Sequence, residues 1–149
     1  MQQFKKTPLI LVILLSIITS GIYWPIWFLT RRTAFNNLNS HEKLTKGPLI
    51  FSIIAIALSN AWSILMASPF VWETPIFDVD VLFKVFELGL VVDLLAMAAA
   101  IILTMNALKV RRILIHHYNR HLGMDINFSW MLTFLFQIFY LQYKINELQ

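Results

Sequence analysis

Asp93 is the one acidic residue inside the long apolar run from Leu88 to Leu108. An ionisable side chain in hydrocarbon costs at least about 2.5–3.5 kcal/mol on insertion scales, so it marks a candidate proton or cation site. Asn60 or Gln137 would be its polar partners. It sits five residues inside the run. At 1.5 Å per residue that is about 7–8 Å of depth, where water or a partner hydroxyl reaches. His117 and His121 stand four apart with His116 adjacent, a spacing at which imidazoles on one helix face share a metal ion. The sequence places no third ligand, and the glutamate of the zinc-protease pattern is missing. The histidines therefore read as titrating groups at a membrane interface. Cysteine is absent and glycine occurs four times, which leaves no thiolate chemistry and little room for a phosphate-binding loop or a glycine-flanked nucleophile. The expectation is a chain without catalytic residues, cofactor or metal.

The elements that hold these residues are apolar. Of 149 residues, 58% are hydrophobic and 13% charged, against roughly 25% charged in soluble domains. Mean hydropathy is +0.69. Such a chain would present too much apolar surface to water, and its composition is the reverse of a disordered one. The fold class expected is an all-α integral membrane bundle, a single transmembrane domain over residues 1–149. Four hydrophobic segments lie at about 8–29, 48–68, 86–108 and 127–143, the last short and interrupted by Gln137. About 20 apolar residues cross the roughly 30 Å hydrocarbon layer. Gly21 and Pro25 should kink or split the first segment. Gly47-Pro48 opens the second, and Gly123 has the position of a helix C-cap. Residues 109–122 carry Val110, Leu114, Tyr118 and Leu122 at steps of four, with basic residues on other faces. They read as a basic amphipathic helix lying in the headgroup layer.

Charge placement sets sidedness. Arg31, Arg32, Lys43 and Lys46 fall between the first two segments, and Lys109, Arg111, Arg112 and Arg120 between the last two. The middle connector has Lys84 against Glu73, Asp78, Asp80 and Glu87. Residues 30–46 and 109–125 are expected in the cytoplasm and 69–86 outside. Arg31, Arg32, Lys109, Arg111, Arg112 and Arg120 are expected to meet anionic lipid headgroups; a nucleic-acid partner is not expected, since no reading module is present. Four full spans would put Lys5, Lys6 and Lys144 outside, against the rule. Re-entrant first and fourth segments would keep eleven of the twelve Lys and Arg inside. Segment length favours four spans, because 22 residues cannot cross and return. Trp130, Tyr140 and Tyr143 flank the fourth segment, and Tyr23, Trp24 and Trp27 end the first, as aromatic belts do. Small residues at steps of four, Ala55, Ser59, Ser63 and Ala67 against Ala96, Ala100 and Thr104, are expected to let the middle helices approach closely or to mediate a homo-oligomer.

Two motifs carry a resemblance. The first is Leu15-Ser16-Ile17-Ile18-Thr19-Ser20-Gly21-Ile22-Tyr23-Trp24-Pro25-Ile26-Trp27-Phe28, followed by Arg31-Arg32 and Asn36-Asn37-Leu38. The second is Leu132-Thr133-Phe134, then Ile138-Phe139-Tyr140-Leu141-Gln142-Tyr143-Lys144-Ile145-Asn146. Together, and with Lys109-Val110-Arg111 and His117-Tyr118-Asn119, they resemble the bacterial membrane proteins of the domain-of-unknown-function 4234 family. The likeness covers nearly the whole chain; Gln137 stands where that family often has glycine. The resemblance implies a multi-pass protein of the bacterial inner membrane, with no activity to carry over. It implies that Gly21, Tyr23, Trp24, Trp27, Tyr140, Gln142, Tyr143 and Asn146 form the defining surface. The motifs also resemble each other, Ile22-Tyr23-Trp24 aligning with Ile138-Phe139-Tyr140 and Trp27 with Tyr143. The first and last segments are therefore expected to pack as a pseudo-symmetric pair. Function is expected to be structural, accessory or protein-binding in the cell envelope, the alternative being a small transporter or channel subunit using Asp93.

Overall fold

The computed structural model describes residues 6–69 and 79–148. Half of the connector expected outside, residues 70–78 with Glu73 and Asp78, and the basic Lys5 lie beyond the described residues. Among the described residues the chain is all-helical: α1 Leu9–Ile18, α2 Tyr23–Asn36, α3 Gly47–Ala67, α4 Val79–His121 and α5 Trp130–Glu147. By length and composition, α3 and α4 are able to cross a bilayer.

The first apolar segment is not one kinked helix. It breaks at Ser20 and Gly21, both at positive φ (46° and 89°). Glycine takes that conformation without penalty. Pro25 does not bend anything. It sits in the first turn of α2, where the missing N–H has no helical partner to lose. The Thr19 hydroxyl accepts from the Tyr23 amide at 2.9 Å and so caps α2. The two helices then run back along each other. Arg31 Nη2 donates to Thr7 Oγ1 at 2.7 Å, across 24 residues that would span about 36 Å in a continuous helix.

The fourth segment doubles back in the same way. Gln137 lies at φ 37°, ψ −113° within α5, close to the first central position of a type II′ turn. Tyr140 Oη accepts from the Ser129 amide at 3.1 Å. Eleven residues of straight helix would hold those groups about 16 Å apart, further than a tyrosine reaches. With 10 residues in α1, 14 in α2 and α5 divided at Gln137, no arm reaches the roughly 30 Å of a span. The expected single crossings of 8–29 and 127–143 are thus replaced by helical hairpins. Composition hid this, because each hairpin is as apolar as a span of the same length.

The expected separate interfacial helix at 109–122 is also corrected. Those residues continue the third segment without a break, so that α4 runs 43 residues, about 64 Å. Their apolar face is taken by protein. Val110, Ile113 and Leu114 are fully buried among Trp27, Phe28, Phe35, Leu44, Phe128, Ile138 and Leu141. The core therefore sits where α4 leaves its apolar run, between the two hairpins. Gly123 (φ 64°) ends α4, and the Met124 amide closes back on the Tyr118 carbonyl at 3.1 Å.

α3 and α4 form an antiparallel pair. Ser52 and Ala55 of α3 are buried, as are Ala99, Leu103 and Ala107 of α4. The seam on α4 is thus one residue off the expected stripe, and Ala100 is exposed. Further along, Trp62 packs over Gly89 so closely that a Cβ there would lie 3.2 Å from Nε1. Ile54, Leu58, Ile64, Leu90, Leu94, Met97 and Ile101 stay exposed on the outer faces.

Candidate functional site

Two polar clusters frame the core. The first joins the two sequence motifs. Trp27, fully buried, donates its indole N–H to Gln142 Oε1 at 3.0 Å. Gln142, also fully buried, donates through Nε2 to Asn146 Oδ1 at 2.8 Å. Asn146 Nδ2 donates to the Thr7 carbonyl at 2.9 Å. Thr7 Oγ1 accepts from Arg31, and the Arg31 guanidinium lies 4.7 Å over the Trp27 ring. The circuit closes on itself and ties the base of α1 to α2 and α5. Burial lowers the Arg31 pKa from its ordinary value, and Tyr23 beside it pulls the other way. An arginine stays protonated regardless.

The other motif residues fall around this circuit. Trp24 meets Phe139 edge to face at 5.7 Å between ring centres, so α2 and α5 do pack through aromatics from the two motifs. Gly21 and Gln137, equivalent in the motif alignment, are both turn residues. The symmetry stops at the next aligned pair. Trp27 is buried, whereas Tyr143 is 53% exposed with Lys144 Nζ 5.9 Å above its ring. Sequence reasoning found Trp27, Gln142 and Asn146 but missed Thr7, which takes Asn146 on its backbone carbonyl and Arg31 on its hydroxyl.

The second cluster is basic and belongs to the far end of α4 and the two connectors it holds. Arg112 grips Glu42, Nε to Oε1 and Nη2 to Oε2, the latter at 3.0 Å; the ion pair raises the Arg112 pKa. Arg32 Nε donates to the Leu44 carbonyl at 2.7 Å, and Asn36 bonds both the Leu44 amide and carbonyl. Arg111 Nε donates to the Phe128 carbonyl at 2.7 Å. Asn119 bonds both backbone groups of Ile126. Two arginines expected at lipid headgroups, Arg32 and Arg111, thus act as staples for carbonyls in the connectors. Lys109 is half-buried, and Arg120 is exposed with Nη1 3.4 Å from His116 Nε2.

All four histidines gather here. Ring centres are 5.4 Å apart for His41–His116 and 6.0 Å for both His116–His121 and His117–His121. They are engaged with the chain. His116 Nδ1 donates to the Asn39 carbonyl at 3.0 Å, and His117 Nδ1 accepts from the Asn39 amide at 3.4 Å. Burial lowers the His117 pKa, and His121 and His116 add to that. Among the described residues no three His, Asp or Glu side chains stand in a metal-binding arrangement.

Asp93 belongs to neither cluster. It is exposed on α4 and has no side-chain partner among the described residues. The partners expected for it are engaged elsewhere: Asn60 Nδ2 donates to the Ser20 carbonyl at 3.2 Å, and Gln137 Nε2 to Thr104 Oγ1 at 2.9 Å. No protein-family model, curated protein or solved structure matches this chain.

Proposed function

We propose that this is a small multi-pass protein of the bacterial cytoplasmic membrane, a member of the domain-of-unknown-function 4234 family, with a structural or accessory role and no catalysis. Helices α3 and α4 cross the bilayer. The α1–α2 and α5 hairpins enter from the cytoplasmic side and leave by it. The closed circuit through Trp27, Gln142, Asn146, Thr7 and Arg31 carries this reading. It engages Trp27 and Arg31 of the first motif and Gln142 and Asn146 of the second in holding the hairpin bases together, so these residues have a structural task. The charge rule agrees, since this topology leaves only Lys84 of twelve basic residues outside. A transport role for Asp93 draws no support from its surroundings, which are the exposed apolar residues Leu90, Leu94 and Met97.

The chain lacks cysteine, so single cysteines report topology directly. In sealed vesicles of known orientation, Lys6→Cys and Glu147→Cys should react with an impermeant maleimide from the cytoplasmic side, as Asn37→Cys does, while Lys84→Cys reacts from the other. Labelling of positions 6 and 147 from the side of position 84 would establish four spans and reject the hairpins.

A further inference from the structure

We propose that the groove along the cytoplasmic end of α4 is a binding site for an anionic phosphate group. The proposal rests on the reading above only for the depth of the site. The groove encloses about 470 Å³ and is lined by Arg111, Arg112, Ile115, His116, Asn119 and Arg120. All six belong to α4. The connectors on either side are tied to them: Asn39 and Glu42 bond His116 and Arg112, and Ile126 and Phe128 bond Asn119 and Arg111.

Three guanidinium groups face one carboxylate, which leaves two positive charges for a ligand. Glu42 occupies the fork of Arg112. Arg111 uses Nε on the Phe128 carbonyl, which fixes the side chain and leaves both terminal amines to donate. Arg120 is exposed and adds a second, adjustable fork. Planar guanidinium pairs of this kind match the oxygens of a phosphate, with charge-assisted hydrogen bonds about twice as strong as neutral ones. His116 spends Nδ1 on the Asn39 carbonyl, and its Nε2 accepts from Arg120 Nη1 at 3.4 Å, which ties that guanidinium to the groove.

Depth selects the ligand class. Arg111 follows the end of the apolar run at Leu108 by three residues, about 4–5 Å along the helix. The headgroup layer is about 5–7 Å thick on each side. Arg120 lies about 18 Å past Leu108, in water. The groove thus opens at headgroup level and rises from it. It admits the phosphate of an anionic lipid from below or a free phosphate from above, with Ile115 offering an apolar contact to the former.

The test uses the full chain purified in a neutral detergent, so that it stands whichever way the topology experiment falls. Native mass spectrometry measures retention of phosphatidylglycerol and, separately, phosphatidylcholine. Phosphatidylglycerol should be retained preferentially, and Arg120→Gln should weaken its retention by about 10-fold, the value of a lost charge-assisted contact. Lys84→Gln removes the same charge outside the groove and should leave retention unchanged. Arg111→Lys keeps charge but loses the fork, and should also weaken binding. Displacement of the lipid by excess inorganic phosphate assigns the site to soluble phosphates, and resistance to it assigns the site to the lipid; both support the groove. Equal retention by wild type, Arg120→Gln and Lys84→Gln, or equal retention of the two lipids, overturns the proposal.

Discussion

Position 137 offers a test whose sign, rather than size, decides between a hairpin and a crossing. In a continuous helix alanine is favoured over glycine by about 1 kcal/mol. At Gln137 the backbone has φ 37° and ψ −113°, a conformation that costs a residue with a Cβ about 1–3 kcal/mol. Glycine takes it freely but loses about 0.5–1 kcal/mol of extra chain entropy on folding. The net expectation is Gln137→Gly more stable than Gln137→Ala by about 1 kcal/mol. Comparing two variants removes the side chain from the argument. Both lose the bond from Nε2 to Thr104, and both relieve the buried Oε1, which has no partner. Thr104 stays satisfied in both, because its hydroxyl donates to the Ala100 carbonyl at 2.9 Å. Equilibrium unfolding in mixed micelles gives the difference directly. A more stable alanine variant would mean that the chain passes straight through position 137, and the hairpin account of α5 would fall.

Two further perturbations probe the clusters. Trp27→Phe removes the indole donor and leaves Gln142 Oε1 buried and unpaired. It should cost about 1–3 kcal/mol, and the double variant Trp27→Phe with Gln142→Leu should recover part of that loss in the same unfolding assay. The His117 pKa is lowered in the fold. The unfolded chain therefore takes up its proton first as pH falls below the ordinary value near 6.5, and stability present above that value drains away until the folded pKa is passed. His116, Tyr118 and His121 on α4 are the titratable groups the structure places around it. Protection of the Asn39 amide, taken relative to its intrinsic exchange rate at each pH, should fall between pH 7.5 and pH 5 in wild type and change less in His117→Gln; an equal loss of protection in both would clear His117 of the effect.

Sequence legibility followed the physics of each signal. Helix type and the two long apolar helices were readable, because 20 uncharged residues bounded by Gly47-Pro48 have few alternatives. The α4 stripe was readable to within one residue, since small side chains at 96, 99 and 100 fit two neighbouring registers. The hairpins were not readable from hydropathy, which counts residues in lipid but not the direction they run. Their turns left one visible mark, Gly21, and one hidden one, since glutamine gives no warning of positive φ. The fate of residues 109–121 was equally hidden. An amphipathic helix looks the same whether its apolar face meets lipid or Phe128 and Trp27. The connector staples escaped notice because Arg32, Arg111 and Asn119 bond backbone groups.

The length objection to re-entrant segments dissolves once the arms need not cross, but it leaves a harder requirement. A turn inside hydrocarbon exposes backbone groups that no water reaches, and such backbone is tolerated only where protein satisfies it. At the first tip the Ser20 amide bonds the Ile17 carbonyl at 3.0 Å, Gly21 the Ser16 carbonyl at 2.9 Å and Ile22 the Thr19 carbonyl at 3.1 Å. The Ser20 carbonyl receives Asn60 from α3. At the second tip the turn residue reaches Thr104 on α4. Asn60 and Thr104 would otherwise be polar residues in the middle of apolar helices, a pattern that invites a transport hypothesis. Here each lies against one hairpin tip, Asn60 on α3 and Thr104 on α4. In the proposed topology the polar residues of α3 and α4 are what permits two chain reversals at membrane depth. Asp93 meets neither tip and has no side-chain partner among the described residues.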